Sequence, residues 1–148
     1  MGPFAPLLRT PSVAHGWHVL GSALRSLRGL SPTARETAIL VVGSKWNAAF
    51  EIYAHEAIAV NATDITQAQA NKIKKGEKPE GLDEASGVAY DVASELVNKM
   101  GPLSEGLYGR AREVLGEEGT LALIHFVGFY CYVSVFLNGC DVPVPEEK

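Results

Sequence analysis

Residues 121–137 contain no Asp, Glu, Lys or Arg. A run of this kind has to leave water, and it can do so in a bilayer, in a protein core or between subunits. A spanning helix usually needs about 20 apolar residues; this stretch has 17 and includes His125, Gly128 and Ser134. A membrane span is therefore not expected. A chain of 148 residues makes one domain with a real core. One small domain has little room to cover every face of such a helix. Burial of Leu121–Leu137 between subunits, and hence a homo-oligomer, is the expectation.

The rest of the chain reads as one helix after another. Pro3, Pro6 and Pro11 predict an extended lead-in over residues 1–10. Val13, Trp17, Leu20, Leu24 and Leu27 recur at helical spacing and predict a helix from Ser12 to Leu27. Ser31-Pro32 is a helix start, with Ser as the cap and Pro at the first helical position. The helix that follows, to Lys45, carries the run Ala38–Val42 and is expected to be deeply buried. Further helices are predicted over Asn47–Val60, from Thr63-Asp64 to Lys75 with Gly76 as its stop, and from Leu82-Asp83 to Met100. A short helix from Ser104 ends at Leu115. A turn at Gly116–Gly119 precedes the apolar helix, and the tail from Asn138 is expected to be extended. No stretch alternates with period two between turn signals, so no strand is predicted. The fold class is all-α, one domain over 1–148, with six to eight helices.

Composition excludes several functions. Thirteen Lys and Arg against 17 Asp and Glu give a net charge of −4, with no basic cluster, so nucleic acid is not a partner. Two cysteines, Cys131 and Cys140, cannot make a disulfide scaffold, a CxxC pair or a four-cysteine zinc site. The N-terminus has no basic segment leading into an apolar one, so no signal peptide is expected and the location is cytoplasmic.

One constellation stands apart. Asn47, Glu51 and His55 are spaced i, i+4 and i+8 on a predicted helix, and Glu36 lies on the helix before it. A carboxylate four residues from an imidazole can orient the ring and hold its proton, an arrangement suited to acid–base catalysis. The same spacing also occurs in solvent-exposed Glu–His pairs. Trp46, Phe50 and Tyr53 flank these residues and would wall a pocket, and Arg9 could bind a substrate carboxylate. Glu36, Glu51 and His55 could in principle ligate a metal, but no further ligand is evident and no metal or other cofactor is expected. His125 reads as a core histidine, His15 and His18 as a surface and packing pair, and Tyr130 and Tyr132 as packing residues.

The segments Arg35-Glu36 and Lys45–Glu56, followed by Asp83-Glu84-Ala85, Val88–Asp91, Tyr108–Gly119 and Leu137-Asn138, resemble the carboxymuconolactone decarboxylase family. The wider superfamily of that family includes the alkyl hydroperoxide reductase D peroxidases. The resemblance covers nearly the whole chain and implies the helical fold of that superfamily, assembled as homotrimers or homohexamers. The family's redox branch carries a glutamate, eleven residues, a cysteine, two residues, a second cysteine, three residues and a histidine. This chain has Glu36, Ala48, Glu51 and His55 at those places. Ala48 cannot supply a thiolate, which argues against peroxidase chemistry. The decarboxylase branch works without a cofactor on small cyclic acids and lactones. The resemblance thus implies a cofactor-free lyase acting on a small carboxylated lactone or keto acid. His55 would move the proton, Glu51 and Glu36 would orient it, and Asn47 would donate to the developing oxyanion. The alternatives are a non-catalytic, ligand-binding relative, or a peroxidase using Cys131.

Overall fold

The computed structural model describes residues 2–99 and 101–145. Among these are seven helices and no strand: α1 (Phe4–Leu7), α2 (Pro11–Ser26), α3 (Pro32–Lys45), α4 (Ala49–Ala62), α5 (Gln67–Lys74), α6 (Glu84–Asn98) and α7 (Glu105–Gly139). The all-α class expected from the sequence is what is found. The expected end of α6 at Met100 and the last three residues of the tail lie outside the described residues.

The molecule is built around α3. Ser31 caps it by accepting from the Ala34 amide at 3.1 Å, and Pro32 occupies the first turn, where its missing N–H costs nothing. Ten of its 14 residues are buried. Helices α4, α5, α6 and α7 all pack on it, so it has no solvent face for most of its length. That arrangement is why Ala38–Val42 can be apolar all round. The outer helices are held by local chemistry. Thr66 and Gln69 form a reciprocal capping box at the start of α5, and the Asp83 carboxylate accepts from the Ser86 amide at 2.9 Å at the start of α6.

Several boundaries differ from expectation. The lead-in is not extended, because Pro3 and Pro6 fall at the cap and first turn of α1, where no intrahelical donor is needed, and Pro11 likewise opens α2. Thr63 does not start a helix. Its hydroxyl donates back to the Ala59 carbonyl at 2.6 Å, and Thr66 is the cap instead. The expected turn over Gly116–Gly119 contracts to Gly116 alone, whose φ of 72° and ψ of 178° belong to a region open essentially only to glycine. Helix resumes at once, so α7 runs through the break.

The apolar run in α7 is buried on one side only. Ala122, Leu123, Phe126, Val127, Val133 and Leu137 face the core, while Leu121, His125, Gly128, Tyr132 and Val135 are exposed. His125 is therefore a surface residue and not the core histidine expected from the sequence. Helix α7 is the one described helix long and apolar enough to cross a membrane, and half of its most apolar stretch is buried within the protein. Helix α2 lies against α7 through Gly21 and Leu24, its two buried residues, and through Trp17, which stacks on Phe129 at 5.9 Å.

The loop between α2 and α3 docks on α7 by a glycine-to-glycine contact. Gly29 has a φ of +79°, and a Cβ on Gly119 would stand 2.4 Å from the Gly29 carbonyl oxygen. Arg28 reinforces the contact by donating its amide to Glu118 at 2.9 Å. Backbone atoms cannot swing aside as a side chain can. Gly119→Ala is therefore expected to cost about 1–3 kcal/mol and to lower Tm by several degrees in calorimetry. Gly109→Ala, where a Cβ meets nothing within 4 Å, should be neutral or stabilising by up to about 1 kcal/mol.

Candidate acid–base site

Glu36 is carried into the interior because α3 is central. Its side chain is 9% exposed. His55, on α4, faces it across the α3–α4 packing. The ring Nδ1–H donates to Glu36 Oε2 at 2.6 Å. On the other side of the ring, Nε2 stands 3.1 Å from Glu51 Oε1, one helical turn earlier on α4. The two contacts differ in kind. The first is a short, aligned, charge-assisted hydrogen bond. The second is a charge contact off the N–H axis, and Glu51 Oε1 is buried without a hydrogen-bond partner. A buried carboxylate oxygen with unused acceptor capacity is costly, and such exceptions call for an explanation.

Burial by itself would lower the His55 pKa, because it disfavours the charged ring. The close contacts and charges of Glu36 and Glu51 outweigh that effect and raise it from 6.5 to about 9. At neutral pH the ring is an imidazolium clamped between two carboxylates. Both nitrogens carry protons in that state, and a metal would have to displace one of them to bind. Among the described residues no group of three His, Cys, Asp or Glu is arranged to hold one.

The imidazolium opens onto a cavity of about 370 Å³ between α1, α2, α4 and α7. Phe4, Trp17, Phe50, Ile58, Phe129 and Val133 make its walls apolar, while His18, Arg25, Glu51, His55 and Tyr130 supply its polar groups. Tyr130 meets the His55 ring edge-on, with centroids 5.0 Å apart. Burial first, and then the charges of Glu51 and Glu36, push its hydroxyl above the usual tyrosine range, with Arg25 and Arg35 opposing. Tyr130 therefore stays a donor. Arg35 is half-buried beside the site, its guanidinium 5.5 Å from the centre of the Phe126 ring, and it has no carboxylate partner among the described residues. Two carboxylates facing one imidazolium and two guanidinium groups leave the site with a positive excess, which favours an anionic ligand.

Of the residues singled out in the sequence, Glu36, Glu51, His55 and Phe50 come together here. Asn47 does not. It sits in the α3–α4 linker with φ 49°, exposed and off the helix, because Ala48 and not Asn47 caps α4. Trp46 is 43% exposed and Tyr53 46% exposed, and neither lines the cavity. Arg9 lines a different depression, with Pro6, Phe136 and Cys140. Sequence reasoning missed Arg25 and Tyr130. The signal for Arg25 was its spacing, because Trp17, Gly21 and Arg25 stack at i, i+4 and i+8. Tyr130 offered only a hydroxyl on an apolar helix.

Compared with models of protein families and with curated proteins, the chain matches none.

In an NMR titration His55 should protonate near pH 9, and Glu51→Gln should bring the midpoint down. The folded state holds this proton more tightly than the unfolded chain. Its contribution to stability is therefore complete below pH 6.5 and is lost as pH rises through 9. Tm should fall across that window in the wild type and stay flatter in His55→Gln.

Proposed function

We propose that the chain is a cofactor-free acid–base lyase of the carboxymuconolactone decarboxylase type, acting on a small carboxylated lactone or keto acid. The observation that carries this reading is the imidazolium of His55 held between two buried carboxylates at the wall of an apolar cavity. The resemblance of the Glu36–His55 frame to that family supports it, as does the positive excess around the cavity. Ala48, fully buried where the redox relatives carry a cysteine, and Cys131, which does not line the cavity, argue against a peroxidase.

The groups suit loss of carbon dioxide followed by protonation. Arg25 at the cavity edge draws in and orients the anionic substrate. The bond between carbon and the departing carboxylate breaks, and its electron pair passes into the neighbouring carbonyl to form an enolate. Tyr130 donates a hydrogen bond to the enolate oxygen, the role that the sequence assigned to Asn47. The electron pair then returns to carbon as His55 delivers a proton. Nε2–H is the donor, since Nδ1–H is committed to the aligned bond with Glu36. The aromatic walls exclude water, so the developing charge sees the fixed dipoles of the site. Glu51 steadies the ring, and a proton from solvent restores the imidazolium after carbon dioxide leaves.

With a panel of carboxylated lactones and β-keto acids, carbon dioxide release should fall about 10²–10⁴-fold in His55→Gln. Tyr130→Phe should lower kcat about tenfold, and Arg25→Gln should act mainly on KM. Activity should be lost above pH 9, where the ring gives up its proton. Unchanged turnover in His55→Gln would sink the assignment, and bound ligand without turnover would leave a binding protein.

The same reading has a cytoplasmic protein assembling as a homotrimer or homohexamer. Its support is the exposed stripe Leu121, His125, Gly128, Tyr132 and Val135, whose 4-3-4-3 spacing is that of a helix seam, continued by Val13 and Leu20 on α2. Native mass spectrometry should find three or six copies, and Tyr132→Glu should give monomers. A wild-type monomer would refute this assembly.

A further inference from the structure

On the other flank of α3, away from the His55 cavity, lies a second hollow of about 290 Å³ between the ends of α3, α5 and α6. Its character is the reverse of the first. Lys45, Lys74 and Lys75 line it, together with Ser44, Tyr90 and Ser94. Lys74 is spoken for, since its Nζ lies 2.5 Å from Glu56 Oε1. Lys45 and Lys75 have no carboxylate partner among the described residues.

Two further residues of its lining carry polar groups. Ser44 Oγ is buried and has no hydrogen-bond partner among the described residues. Tyr90 is a buried side chain on the wall of the hollow, and burial, with Asp91 and Glu77 adding to it, keeps its hydroxyl protonated and able to donate. Of those two carboxylates, Asp91 is neutralised by Lys78 at 2.6 Å. Five of the carbonyls that end α3 and α5, those of Val42, Gly43, Ser44, Lys72 and Ile73, are closed to the lysines. They are already taken by the amides of Trp46, Asn47 and Ala48 and of Lys75, Gly76 and Glu77.

Two free ammonium groups and two hydroxyl donors around a hollow of this size match a compact oxyanion with several acceptor oxygens. The volume is at the small end of ligand pockets and suits a metabolite better than a macromolecule. We infer that this hollow is an anion site for inorganic phosphate or the phosphate group of a small phosphorylated metabolite, held by Lys45, Lys75, Ser44 and Tyr90. The site is separate from the acid–base cavity and does not depend on the lyase reading.

Inorganic phosphate, titrated at constant ionic strength into the full chain, is the probe. Amide NMR shifts should be saturable and concentrated at Ser44, Lys45, Lys75 and Gly76. The double variant Lys45→Gln/Lys75→Gln changes exposed side chains only and should weaken binding at least tenfold with an unchanged circular dichroism spectrum. Tyr90→Phe, which keeps the ring, should weaken it several-fold. A small phosphate monoester that binds more tightly than phosphate would identify the metabolite as the source, and equal affinity would identify free phosphate. Shifts that never saturate, that spread over all surface lysines, or that persist unchanged in the double variant would overturn the inference.

Discussion

A carboxylate buried on the central helix of a bundle has to be compensated, and much of this molecule follows from how that is done. Glu36 is inside because α3 is covered by four other helices. Hydrophobic burial along Ala38–Val42 drives α3 inward, and Glu36 is carried with it. Its compensation comes from His55, which binds it at 2.6 Å and thereby sets how α4 lies on α3. His55 is in turn steadied by Glu51 one turn earlier. Three side chains that would each be expensive to bury alone are tolerable as a set.

The set is not fully satisfied, and the shortfall is local. Glu36 has its partner, whereas one oxygen of Glu51 has none. The unsatisfied atom belongs to a residue lining the cavity, on the same wall as a protonated imidazole and a tyrosine hydroxyl. A buried acceptor left open is a strain that a ligand or water in the cavity can relieve. The apolar remainder of the wall comes from α1, α2 and α7, whose aromatic rings pack on one another at Phe4, Trp17 and Phe129. Helix α2 is the least embedded of the long helices, with Gly21 and Leu24 its only buried residues, so the cavity has walls on α4 and α7 that are packed into the core and a roof on α2 that is not.

Helix α3 also explains why the two hollows differ. Its first half carries Glu36 toward α4 and α7. Its last turn carries Ser44 and Lys45 toward α5 and α6, where lysines gather near the helix ends. One buried rod thus separates an apolar, proton-holding chamber from a polar, cationic one.

Much of the architecture was legible in the residues. Ser31-Pro32, the spacing of Val13 to Leu24, the run Ala38–Val42, the stop at Gly76 and the break at Gly116 act within one or two turns, and local capping, backbone sterics and periodicity are enough to place them. The Glu51–His55 pair was legible for the same reason, being a single-helix relation. Pairings between helices were not legible. Only packing brought Glu36 against His55, put Arg25 and Tyr130 on the cavity and, by burying Ala48 at the turn between α3 and α4, left Asn47 in a linker. The exposed stripe on α7 likewise depended on which side the core claimed. Sequence alone determined the elements and the chemistry each could carry. Tertiary structure alone decided which charges share a low-dielectric space, because that depends on the neighbours a folded chain provides and on the water they displace.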